Sequence, residues 1–187
     1  MGGVKGAFYL DTTYNPTNTL RISEFLNEFV SSKGLRKDKV LIYGASKGAT
    51  GGLYHSLCSG WHLVAVDPIV ADEFYETKYQ DLHFTGGGLF PRTKEDTFGA
   101  LLEPARAPEL AADQWQRVIV TSSKSPQMKY IDKCLEAAKG TFTIMDSTHP
   151  LIVDHPTVAR NTLWAHLMVI NNILLGYVYP PGKIRIP

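Results

Sequence analysis

The 187-residue sequence holds only two cysteines, no block of like charge, and no uninterrupted apolar run of membrane-spanning length. Each shortage narrows what the chain can do. Cys58 and Cys134 stand in segments that read as helices and lack CxxC or Cys/His ligand spacing. That argues against a disulfide framework or a metal site and for two free, buried thiols in a reducing compartment. Nineteen Lys and Arg against eighteen Asp and Glu leave a net charge of +1, with no basic stripe. Nucleic acid is therefore a poor partner. The N-terminal MGGVKGAFYLDTTYNP has no long apolar region followed by a small-residue cleavage site, so it does not read as a signal peptide. The longest apolar stretch, residues 163–175, is interrupted by His166, Asn171 and Asn172 and is too short to cross a bilayer. A cytoplasmic protein without an integral membrane segment is the expectation.

What is present is an alternation. Residues 6–10 (GAFYL) form a short apolar run ended by DTTYNPTN and read as a buried strand. Ile22, Phe25, Leu26, Phe29 and Val30 recur at i, i+3, i+4, i+7 and i+8, between Thr17 or Asn18 as a cap and Gly34 as a stop. That spacing predicts an amphipathic helix. Residues 40–43 (VLIY) read as a strand, Ala49, Leu53 and Leu57 carry a helix to Gly60, and residues 61–66 (WHLVAV) read as a further strand closed by Asp67-Pro68. Residues 69–113 break the rhythm with ADEFYETKYQDLHF, a GGG run and LLEPARAPELAAD. An excursion of that length reads as a cap or a binding loop. Regularity returns with a strand at 117–120, a helix at 128–139, a strand at 141–145 and a last helix from about 157 to 175. Strands apolar throughout imply a sheet covered on both faces. The fold class is α/β with a mainly parallel sheet, organised as one domain over residues 1–187.

Residues 44–52, GASKGATGG, follow the VLIY strand and admit two chemistries. The run resembles the dinucleotide loop of short-chain dehydrogenases, but Thr50 stands where the third glycine belongs, a strand and a helix precede it, and the chain holds no Tyr-x-x-x-Lys. A nicotinamide enzyme would lack both its loop and its chemistry. The second reading takes Gly44-Ala45-Ser46-Lys47-Gly48 as a G-x-S-x-G nucleophile elbow: a serine on a strained strand-to-helix turn, flanked by small residues, with helix following at once. The backbone N–H of Lys47 would then lie at a helix N-terminus, placed to donate to an oxyanion. No cofactor or metal motif accompanies it.

A serine nucleophile needs a base. Among the six histidines, His55 and His62 flank the elbow helix and the next strand, His83 lies in the excursion, and His166 sits within the last helix, where a core role is the expectation. His149 and His155 lie in the loop DSTHPLIVDHPT between the last strand and the terminal helix. This layout resembles the α/β-hydrolase family, whose catalytic histidine comes just after the last strand, followed by a loop and a proline that opens the terminal helix. The resemblance implies His149 as the general base, with His155 the weaker candidate, and a three-layer sandwich. The family's usual acid position, after the penultimate strand, reads VTSSKS and has no carboxylate. A less common family position, the end of the strand after the elbow, holds Asp67. Asp146 and Asp154 are alternatives, as is a Ser-His dyad. The family's second oxyanion donor comes from a loop two strands before the elbow, and only one strand is expected there. Either residues 11–13 take that role, or part of the N-terminal sheet is absent from this chain, or the second donor does not exist.

Within that superfamily, YGASKGATGGLYHSLCSGWHLVAVDPIVADEFY is most similar to capsular polysaccharide biosynthesis proteins of the XcbB/CpsF type and to O-acetyltransferases that share a G-x-S-K-G elbow. Ser46-Lys47-Gly48 and Val66-Asp67-Pro68 carry the similarity. It implies acyl transfer or ester hydrolysis in bacterial surface-glycan assembly, with a small acyl donor and a glycan acceptor. The alternative is a catalytically inactive scaffold within a glycan-synthesis complex.

Overall fold

The computed structural model describes residues 6–80, 88–104 and 114–187. Its centre is a five-stranded sheet, β1 (Leu41–Ala45), β2 (His62–Val66), β3 (Arg117–Thr121), β4 (Thr143–Ser147) and β5 (Gly182–Ile186), in spatial order β1-β2-β3-β4-β5. Every neighbouring pair is parallel, so the expected α/β class and parallel sheet are observed.

Strand alternation divides the core into two layers. Leu63, Ala65, Ile119 and Ile144 face α2 (Lys47–Ser59), α4 (Lys94–Leu101) and α5 (Met128–Leu135), meeting Ala49, Leu53, Phe98 and Ile131. Val64, Val66, Val118, Val120 and Met145 point the other way, to α6 (His155–Asn161) and α7 (Leu163–Leu174), through Val158, Ala165 and Val169. Helices on both faces explain why the central strands β2 and β3 are wholly buried and read as unbroken apolar runs. Leu53, fully buried between α2 and the sheet, contributes on the order of 2 kcal/mol by leaving water.

Four elements differ from the sequence expectation. Residues 6–10 are not a strand. Phe8 and Tyr9 have φ of 55° and 62°, and Leu10 N donates to Ala7 O at 2.8 Å, so the segment is a tight turn. Its apolarity serves another purpose, since Phe8 and Leu10 bury with Ile69 in a separate small cluster. The strand expected at 141–145 lies two residues later, because residues 136–141 extend α5 as a 3-10 turn. The single terminal helix is two, broken at Thr162, whose hydroxyl is drawn back to Val158 O. β5 was not anticipated. The β4-to-β5 connection runs over the face opposite to that of α2 and α5 while stepping the same way across the sheet, so its hand is opposite to theirs. Cys58 is exposed rather than buried, whereas Cys134 is packed against the core and burial pushes its thiol up to about 12.

The excursion contains α3 (Glu73–Tyr79) and α4; residues 81–87 and 105–113, with His83 and Phe84, lie outside the described residues. Phe98 and Leu102 belong to the main core, and Phe74 packs against it. β1 is a sheet edge, partly exposed along its length, and α1 (Asn18–Ser32) buries no residue fully. Among the described residues no helix is long and apolar enough to cross a membrane.

Candidate active site

The site forms where β1 and β2 end. Ser46 stands between β1 and α2 with φ 53° and ψ −118°, a conformation that non-glycine residues adopt only when surrounding structure enforces it. Two constraints enforce it. Ser46 N donates to Val66 O at 2.9 Å, and a Cβ added to Gly44 would lie 2.4 Å from Gly48 C and O. Gly44 is therefore sterically required by the turn, whereas a Cβ on Gly48 would meet nothing outside its own helical turn within 4 Å. The strained serine followed at once by helix is the arrangement expected of a nucleophile elbow.

The side chains around it form one hydrogen-bonded chain. Ser46 Oγ lies 2.8 Å from His155 Nε2, and His155 Nδ1 lies 2.7 Å from Asp67 Oδ2. The carboxylate accepts, so Nδ1 carries the proton and Nε2 is left to accept from the serine hydroxyl. Asp67 is 1 % exposed and has φ 46° just before Pro68. Thr121 Oγ1 donates to its Oδ1 and Ser125 Oγ to its Oδ2, each at 2.6 Å. The end of β3, which offers no carboxylate of its own, thus supplies hydroxyls that hold the carboxylate of β2. Three donors on a buried acid satisfy the charge that burial would otherwise penalise.

Ser46 and Asp67 line one cavity and are joined through His155, whereas His149 was the histidine expected there. The reason is where the helix starts. Asp154 caps α6 through a reciprocal pairing with Thr157, with Pro156 in the first turn, so His155 opens the helix and reaches back to the elbow. His149 is held in the preceding loop, where its Nδ1 accepts from Leu151 N at 3.3 Å and its carbonyl from Lys124 Nζ at 3.2 Å. The alternative acids are also committed elsewhere. Asp154 is that cap, and Asp146 accepts from the backbone N–H of Ser123 at 2.7 Å and from its hydroxyl. The signal available in the sequence was the D-H-P-T capping pattern, which places the second histidine, not the first, on the helix.

Two further buried residues make contacts that the sequence did not reveal. Thr50, fully buried, accepts from Ile69 N at 3.0 Å and lies 2.8 Å from Ile69 O, tying α2 to the segment after Asp67. The hydroxyl that departs from the dinucleotide pattern thus fastens the acid's loop. His166, expected in the core, is fully buried. Its Nε2 lies 2.6 Å from Thr162 Oγ1 and its Nδ1 3.2 Å from Tyr43 Oη, so both ring nitrogens have hydroxyl partners. Burial lowers its pKa to about 4 and keeps it neutral.

One cavity is lined by Ser46 itself and a larger cleft reaches the two residues that follow it. A cavity of about 180 Å³ is lined by Ser46, Val66, Asp67, His155, Pro156 and Ala159. A cleft of about 630 Å³ on the side of Lys47 and Gly48 is walled by Phe8, Tyr9, Tyr14 and Ile22.

No family model and no curated protein matches the chain. Among solved structures, a ferulic acid esterase superposes on 89% of this chain with a TM-score of 0.58 and 14% sequence identity. The fold is esterase-like. The chain spans 64% of that esterase's length. A Glycosylation Associate Protein (Gap123) complex from Streptococcus agalactiae aligns over 97% of this chain and 30% of its own, at 14% identity, but its TM-score of 0.41 is too low to carry an argument. What the esterase-like fold explains is position: the ends of parallel strands are where ligands reach an α/β sheet.

Proposed function

We propose that the chain carries out serine-dependent ester hydrolysis or acyl transfer through an acyl-enzyme, with Ser46, His155 and Asp67 as its triad. The observation that supports this reading is the unbroken Ser46–His155–Asp67 hydrogen-bond chain around a strained elbow. His155 Nε2 takes the Ser46 proton as Oγ attacks the acyl carbonyl, and the Lys47 backbone N–H donates to the oxyanion. The imidazolium returns that proton to the leaving alkoxide as the carbonyl re-forms, giving the acyl-serine. In the second half His155 removes a proton from the acceptor hydroxyl, which attacks the acyl-serine, and returns it to Ser46 Oγ. Asp67 keeps the imidazole in the tautomer this requires. Water as acceptor makes an esterase; a sugar hydroxyl makes an O-acyltransferase. A place in bacterial surface-glycan biosynthesis, with a small acyl donor and a glycan acceptor, rests on the resemblance of residues 43–75 to the capsule-biosynthesis proteins and acetyltransferases.

p-Nitrophenyl acetate tests the reading. Wild type is expected to give an acetyl adduct on Ser46 by mass spectrometry, and Ser46→Ala to lose turnover by about a thousandfold or more. Equal turnover by both proteins, with no adduct, would leave the inactive scaffold as the better account.

A further inference from the structure

The cleft that reaches Lys47 and Gly48, next to Ser46 in the chain, owes one wall to a segment that the chemistry above does not use. Phe8 and Tyr9 hold the left-handed conformation in succession, which is costly for two aromatic residues. Such strain persists only where neighbours over-determine it, and the neighbours can be named. Phe8 is buried and its ring lies under Lys94 Nζ, 4.1 Å from the centroid. Leu10 O accepts from Asn18 Nδ2 at 2.9 Å. Tyr9 lies between these anchors, is exposed and lines the cleft, and its carbonyl accepts from His55 Nε2 at 3.2 Å.

His55 lies on α2, two helical turns beyond the elbow, and is buried. A carbonyl can only accept, so Nε2 carries the ring proton. Nδ1, 3.0 Å from Ser23 Oγ, therefore accepts from that hydroxyl. Burial lowers the pKa of His55 and keeps this neutral tautomer in place. The turn also approaches α2 so closely that a Cβ on Gly51 would sit 2.7 Å from Tyr9 Cβ. One face of α2 thus presents the serine, and its next turns hold the wall of the cleft.

We propose that His55 is a positioning residue that, through Tyr9 O, holds the Phe8–Tyr9 turn as the wall of the cleft and so sets how the larger part of a substrate is seated beside Ser46. The proposal rests on the acyl-enzyme reading for its kinetic consequence but not for its structural one. The decisive variants are His55→Leu, which cannot donate, and His55→Gln, whose side-chain amide reaches the same place as Nε2. Amide hydrogen exchange at residues 8–10 is expected to accelerate at least tenfold in His55→Leu and to stay near the wild-type rate in His55→Gln. With p-nitrophenyl phenylacetate, whose ring needs the cleft, KM should rise severalfold in His55→Leu with kcat little changed, while p-nitrophenyl acetate is affected less and His55→Gln restores both. Ser23→Ala, which leaves the Tyr9 bond in place, serves as a second variant should His55→Leu fold poorly; it is expected to loosen the turn in the same direction by freeing the ring. Exchange unchanged in both His55→Leu and Ser23→Ala would overturn the proposal. So would equal KM changes for the two esters. Loss of wild-type turnover and Ser46 labelling would sink the acyl-enzyme reading instead, and the exchange data would still decide the role of His55.

Discussion

His155→Ala is expected to lower Ser46-dependent turnover by on the order of 10⁶-fold, the loss seen when the base of a hydrogen-bonded triad is deleted. His149→Ala is expected to leave turnover at the wild-type level. The contrast is sharp because both histidines occupy one short loop, yet only His155 bonds to Ser46 and Asp67, while His149 is spent on Leu151 N. Asp67→Asn should fall between, at about 10⁴-fold, since the amide can donate to Nδ1 and so favours the wrong imidazole tautomer. Steady-state hydrolysis of p-nitrophenyl acetate, paired with fluorophosphonate labelling of Ser46, checks all three. An inactive His149→Ala beside an active His155→Ala would reverse the assignment.

The largest expected effect on stability lies away from the serine. Lys94 and Asp72 form an ion pair with side chains only 2 % and 4 % exposed, and the Lys94 ammonium also lies over the rings of Phe8 and Phe90. Breaking a buried pair from one side strands the other charge, so Lys94→Met should cost about 3–5 kcal/mol. At about 2–4 °C per kcal/mol for a domain of this size, the melting temperature should fall by roughly 6–20 °C. Adding Asp72→Asn should recover much of the loss, because the stranded carboxylate, not the missing cation, is its main source. Thermal unfolding followed by circular dichroism measures both proteins. A double variant no more stable than Lys94→Met would show instead that the contacts with Phe8 and Phe90 carry the stability.

The parts of this architecture that were legible in the sequence are those in which local pattern and tertiary role agree. β2 and β3 are apolar on both faces because both faces are buried, and α2 begins at the residue after Ser46 because the elbow dictates it. Where pattern and role separate, reading failed. GAFYL is as apolar as a strand, yet the carbonyls of Tyr9 and Leu10 go to the side chains of His55 and Asn18 rather than to a ladder. β5 is mostly exposed and carries two lysine or arginine side chains, so nothing in its composition announced a strand. The histidine was misplaced because distance from the last strand is a weaker constraint than helix capping. Asp154 and Thr157 decide where α6 starts, and the start decides which imidazole reaches the elbow. Asp67 was within reach of sequence reasoning, but the hydroxyls of Thr121 and Ser125 that make it a well-solvated buried acid become visible only when β3 is laid beside β2.

The register of β1 on β2, with Ala45 opposite Val66, puts Ser46 and Asp67 at the ends of adjoining strands inside one hydrogen-bonded sheet. These two cannot part without dismantling the sheet itself. His155 is different: it arrives on a seven-residue helix fastened to the core through Val158, behind a loop in which Ile152 is buried while Leu151 and Val153 are largely exposed. The proposed triad therefore has a half fixed by the sheet and a half held by fewer buried side chains, and elements held by fewer buried contacts open at lower free energy than the core. Warming should switch the chemistry off before the protein melts, with esterase activity declining several degrees below the midpoint of the far-ultraviolet circular dichroism transition. Coincident loss of the two signals would mean that the helix carrying the base is as firmly held as the strands.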